Sequence, residues 1–310
     1  MKTHLTKPAA IKHAYSCRAS ISDLEPEFEA MVGKAIRAIV AYEPSPDRIF
    51  GKYSEFASVA RSVAFHEGKL LEWGIAAIAR CNPDLVILPP DRPMPIVPAA
   101  IELLKKNEWR EIQGIRLPSE VYANKTYTPD LFIANRARHS GLIIDVKRSL
   151  GSYAESKLEG LRFRMLAVAA IASSWLSERQ GPVLVEVSTA IIDGADTSSD
   201  HEKGVFKLSE IGDLLEVDEA GDAMTRLRDM FAERVKNELD SQCRKVIGTA
   251  NSSATQSAAD VDFSGGDTEN ARLDSGRTGV PTVRTGNQRR YMPSLSTNVR
   301  VGFARLHGGA

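Results

Sequence analysis

The sequence predicts a mixed α/β protein: a central mixed β-sheet flanked by helices, ending in a disordered C-terminal tail. Three observations predict it. Long stretches repeat apolar residues at helical spacing, and short apolar runs bounded by Pro, Gly and Asn lie between them. The two patterns are interleaved along the chain, as in mixed α/β layers rather than an all-helical bundle. From about Thr249 the composition turns to Gly, Ser, Thr, Asn and Asp with few large apolar residues. Such a segment cannot bury enough surface to offset its ordering entropy.

The elements follow in order. Residues 1–22 carry Lys2, Lys7, Lys12 and Arg18 with no acidic group and read as a flexible N-terminus. A helix is expected over 23–42, where Leu24, Phe28, Met31, Val32, Ala35, Ile36 and Ile39 recur on one face and Pro26 suits the first turn. A second helix is expected over 54–81, through Phe56, Val59, Leu70, Leu71, Ile75 and Ile78, closed by Asn82-Pro83. Strands are expected at Leu85–Leu88, Ile112–Leu117, 126–134 and 141–148, with a short helix at 97–106. A long helix is expected over 153–179, a strand at Val183–Val187, a polar loop at Asp193–Lys203 and a last amphipathic helix over 219–243. One domain is thus expected over 23–248, with the tail covering 249–310.

Composition excludes several classes. Lys plus Arg equals Asp plus Glu at 40 each, so no global basic excess marks a polyanion binder and any such contact needs a local patch. Cys17, Cys81 and Cys243 are far apart, with no CxxC pair; this argues against a disulfide framework or a zinc site and suits a reducing cytoplasm. No apolar run approaches the roughly 20 residues that span a bilayer, and the N-terminus lacks the apolar core of a signal peptide.

The chemistry concentrates in Thr128-Pro129-Asp130-Leu131-Phe132-Ile133 and Leu142-Ile143-Ile144-Asp145-Val146-Lys147. A hairpin turning at 135–140 sets Asp130 near Asp145 on adjacent strands. Asp145 and Lys147, two apart, point to one face. Acid-x-Lys alone is weak: Glu67-Gly68-Lys69 and Glu155-Ser156-Lys157 repeat it. Only Asp145-Val146-Lys147 ends an apolar β-run. Pro83-Asp84 also precedes an apolar run, but no acid-x-Lys follows it at hairpin distance.

This constellation resembles the PD-(D/E)XK nuclease superfamily, over about residues 65–190. The resemblance implies a restriction endonuclease-like fold and Mg²⁺-dependent, or Mn²⁺-dependent, hydrolysis of DNA phosphodiester bonds. It implies that Asp130 and Asp145 bind metal, that the Val146 carbonyl joins them, and that Lys147 positions or deprotonates the attacking water. Many members add a helix glutamate in the form Gly, three residues, Glu; Gly68-Lys69-Leu70-Leu71-Glu72 fits, making Glu72 the third ligand candidate and Glu67 its competitor. Tyr153 opens the following helix, but the Gln-x-x-x-Tyr of exonuclease-like members is missing, and no phosphate-binding G-x-x-x-x-G-K-[ST] loop accompanies the site.

Nine basic residues face five acidic ones between Val121 and Arg179. Arg136, Arg138, Arg148, Arg162 and Arg164 are the candidate phosphate contacts, Arg136 and Arg138 on a turn expected beside the site. The tail from 281 on holds Arg284, Arg289, Arg290, Arg300 and Arg305 and no acid. It could be a DNA arm, a linker, or an export address, since it also resembles the basic C-termini of type IV secretion substrates. A noncatalytic nucleic-acid-binding or scaffold protein on the same fold is the alternative to an enzyme. Double-strand cleavage would suit a homodimer.

Overall fold

The computed structural model describes residues 15–41, 48–89, 93–107, 111–115, 117–119, 123–151, 153–256 and 299–306. The apolar stripes read from the sequence become two layers of helices on a sheet. Helix α1 (Ile21–Val40) buries Leu24, Phe28, Val32, Ala35 and Ile39, and α2 (Ser54–Ala79) buries Leu70, Leu71, Ile75 and Ile78. With α6 (Ala220–Gln256) and the short α5 (Ile211–Leu215) they cover one face of the sheet. Helices α3 (Pro98–Lys106) and α4 (Glu155–Ser177) cover the other. Gly74 lets α2 and α6 approach: a methyl there would stand 2.5 Å from a Leu227 methyl.

The central sheet contains β2 (Leu85–Leu88), β6 (Leu131–Asn135), β7 (Ser140–Lys147), β8 (Glu186–Asp193), β11 (Val299–Phe303) and β4 (Glu111–Ile115), in that spatial order, with β9 (Val205–Lys207) also on β8. Strands β2, β6 and β7 are antiparallel neighbours. Helix α4 then returns the chain so that β8 lies parallel to β7, the crossover that a parallel pair requires. The sheet is mixed, as expected. Two minor pairs complete the strands: β1 (Cys17–Arg18) with β10 (Val217–Asp218), and β3 (Met94–Pro95) with β5 (Thr126–Tyr127). Among the described residues no helix is long and apolar enough to cross a membrane.

Four expectations need correction. The strand expected at Val183–Val187 begins at Glu186 and runs to Asp193; Val183 and Val185 remain on the surface. The segment 126–134 is two strands, because Pro129 has no N–H to donate to a ladder. The tail departs most. Helix α6 passes the expected boundary at 249 and ends at Gln256. Residues 299–303 are an inner strand, pairing with β8 and β4 at once. Val299, Val301 and Ala304 are buried there, while Arg300 points outward to Glu186 at 2.6 Å. Two buried valines suffice because the slot they enter is already walled by neighbouring strands. Arg300 is thus part of the sheet surface rather than of a loose arm. Arg284, Arg289 and Arg290 lie outside the described residues. At the other end, Cys17–Arg18 pair with β10 and α1 starts at Ile21, inside the stretch read as flexible; residues 1–14 lie outside the described set.

Candidate active site

Pairing of Leu131 with Ile144 puts Asp130, just ahead of β6, level with Asp145 on β7. Along β7, Ile144 and Val146 enter the core under α2, while Ile143 enters the core under α4. Alternation therefore sends Asp145 and Lys147 toward the α4 side, where Tyr127 packs.

The two aspartates are locked by short contacts. The Val146 N–H donates to Asp130 Oδ2 at 2.8 Å, and the Tyr127 hydroxyl donates to Asp145 Oδ2 at 2.7 Å. The Lys147 ammonium binds Asp145 Oδ1 directly and lies 3.9 Å from Asp130 Oδ2. Asp145 is only 4% exposed, so without these partners its charge would be costly. From the opposite layer Glu72 enters on α2, tied to Lys69 at 2.8 Å. It is near enough that Asp130 and Lys147 both act on its charge. Its competitor Glu67 is instead held by Arg228 at 3.1 Å and Arg148 at 3.5 Å.

The electrostatics are those of crowded carboxylates. Burial, then repulsion from Asp145, raises the Asp130 carboxyl above its usual range, against the Val146 N–H and the attraction of Lys147. Burial also raises Glu72, opposed by the Lys69 hydrogen bond and reinforced by the Asp130 charge. Burial, then the charge of Asp145, pushes the Tyr127 phenol well up. Burial penalises the Lys147 ammonium, but Asp145 and Asp130 outweigh it and its pKa is raised. Among the described residues no three His, Cys, Asp or Glu side chains converge into a ready cation cage. The assembled unit is two carboxylates bridged by a lysine.

The structure thus brings together Asp130, Asp145, Val146 and Lys147, with Glu72 in charge range but bound to Lys69. It treats the candidate phosphate contacts differently. The turn 136–139 sits at the far end of the β6–β7 pair, five residues along each strand from Asp130 and Asp145, or about 17 Å. Arg136 and Arg138 are therefore not beside the site, and Arg138 pairs with Glu216 at 2.9 Å. Arg162 is buried, 5% exposed. Its guanidinium donates to the Lys203 carbonyl at 2.9 Å and to Glu155 at 2.8 Å, so it ties α4 to the loop before β9. Arg148 follows Lys147 directly and is exposed, and Arg164 is exposed on α4 close enough for its charge to act on Tyr127.

Two residues escaped the sequence reading. One is Tyr127, whose hydroxyl caps Asp145. The other is Asp193, fully buried at the end of β8 and paired in register with Lys147. It accepts from the N–H groups of Leu150, Ala195 and Thr197 at 3.1–3.2 Å, fixing the loops after β7 and β8. Burial would raise its carboxyl, but the Thr197 hydroxyl and these N–H groups outweigh burial and lower it. A lone Asp-Gly closing an apolar alternation was the available signal. Comparison with protein-family models, with curated proteins and with solved structures finds no match for this chain, so function is read from the site itself.

Proposed function

We propose that the protein is a metal-dependent nuclease, on a restriction endonuclease-like domain, that hydrolyses DNA phosphodiester bonds at Asp130, Asp145 and Lys147. One observation carries the reading: a lysine held between buried Asp145 and half-buried Asp130, two mutually repelling carboxylates at the end of paired strands, with Glu72 within charge range. A purely structural ion pair needs one carboxylate, whereas here burial first, and neighbouring charge second, raise Asp130 and Glu72 beside the same lysine.

The donor set fits a hard cation. The Asp130, Asp145 and Glu72 carboxylates and the Val146 carbonyl would hold Mg²⁺ or Mn²⁺ through oxygen. The three carboxylates lie within charge range of two ammoniums, Lys69 and Lys147, and a cation would offset the burial and the repulsion that raise Asp130 and Glu72. When bound, such an ion neutralises charge at the phosphate and acidifies a water. The remaining roles belong to the chain. Lys147 keeps its proton at neutral pH, so it orients water and offers positive charge to phosphate oxygens rather than acting as a base. The Val146 N–H and the Tyr127 hydroxyl fix the two aspartates before substrate arrives.

A noncatalytic reading on the same fold is favoured by one contact set: both oxygens of Asp145 are already engaged, by Tyr127 and Lys147. Plasmid, linear duplex and oligonucleotide DNA incubated with Mg²⁺ or Mn²⁺ decide between them. The expected result is metal-dependent cleavage that falls by about 100-fold or more in Asp145→Ala and in Lys147→Ala. No cleavage of any substrate by the unaltered protein would leave the binding reading in its place.

A further inference from the structure

Helix α2 carries more than Glu72. Arg61, Phe65, Lys69 and Glu72 are spaced four, four and three residues apart. On a helix they fall within about a quarter turn, forming one ridge of about 16 Å that ends at the site. Phe65 is 63% exposed, unusual for a phenyl ring on a helix whose next turns are core. Arg61 is exposed and stacks over the Phe50 ring at 5.6 Å. Lys69 is half exposed. Of the acids of this stretch, Glu72 holds Lys69 at 2.8 Å at the site end of the ridge, Glu55 falls about a quarter turn off it, and Glu67 is engaged by Arg228 and Arg148.

A cation, an exposed aromatic ring in T-shaped contact with His66 at 5.2 Å, a second cation and then the site is the order that suits an unpaired polynucleotide. Its phosphates need positive charge, and its bases need a π surface that duplex DNA, with bases stacked inside, cannot use. We propose that the Arg61–Phe65–Lys69 ridge is a stacking track that delivers single-stranded nucleic acid to the Asp130/Asp145/Lys147 site. This rests on the nuclease reading and names its substrate class. Phe50, itself 43% exposed beneath Arg61, adds a second ring beside the ridge.

The test uses the full chain and one labelled oligonucleotide, single-stranded or annealed. Binding is read in EDTA, and cleavage separately with Mg²⁺. The unaltered protein should bind and cleave the single strand in preference. Phe65→Ala should lower single-strand affinity by about tenfold, leave duplex affinity and the melting temperature in place, and be rescued by Phe65→Trp. Asp145-dependent cleavage with Phe65→Ala equal to the unaltered protein on single strands would overturn the track while the nuclease reading stands. Absence of both binding and cleavage for either form would overturn both.

Discussion

Asp130 sets the electrostatic character of the site, and its stability cost can be measured. A carboxyl raised on folding holds its proton more tightly in the native state, so ionising it destabilises the fold as pH rises through its native pKa. Asp130→Asn keeps an oxygen for the Val146 N–H and removes the charge. It should stabilise the protein at neutral pH by about 1 kcal/mol. The gain should vanish below the ordinary Asp value of 3.8, where Asp130 is neutral in both states. Thermal melting from pH 3.5 to 8 checks this; an unchanged or lowered melting temperature at pH 7 would mean that ionised Asp130 is well compensated. Asp130, Asp145 and Lys147 were legible because strand alternation and an acid-x-Lys at the end of an apolar run are local patterns. Tyr127 was not, since its hydroxyl reaches Asp145 only after β3 and β5 pair. Nor was the burial of Arg162, because its partner carbonyl lies 41 residues away at Lys203.

Between elements, the decisive junction is where α2 crosses the ends of β7 and β8. A methyl on Gly194 would stand 2.5 Å from a Leu71 methyl and 3.0 Å from the Lys147 carbonyl. Leu71 precedes Glu72, and Lys147 carries the bridging charge, so this glycine sets the gap between two parts of the site. Gly194→Ala should cost about 1–3 kcal/mol by overpacking. On the proposed nuclease reading it should also lower cleavage by more than the stability loss explains, since α2 must move away from β7. Activity measured well below the melting temperature checks this, and full activity there would show that the gap is not critical. Helix periodicity predicted α1 through α4 to within a few residues because each buries a continuous stripe. Strand β8 was misplaced because Val183 and Val185 are more conspicuously apolar than the start of the true strand.

For the molecule as a whole, the sheet depends on a strand taken from near the C-terminus. Without β11, the first half of β8 would lose its neighbour on one side, β4 would lose the one strand partner it has among the described residues, and buried Val299 and Val301 would leave two voids. Ending the chain at residue 298 should therefore cause insolubility or a large fall in melting temperature. A soluble truncated chain with unchanged melting would show that β11 is dispensable. Composition hid this strand because it rewards bulk, whereas a slot between existing strands needs only a few small apolar side chains. The same placement has a temporal consequence. Strand β11 follows β9 by about ninety residues, which at cellular translation speeds is roughly 5–20 s of synthesis. Throughout that interval the nascent chain carries an open β8 edge, the form most prone to pair with another copy. Ribosome-bound chains of this protein should thus be chaperone clients until β11 emerges and covers that edge.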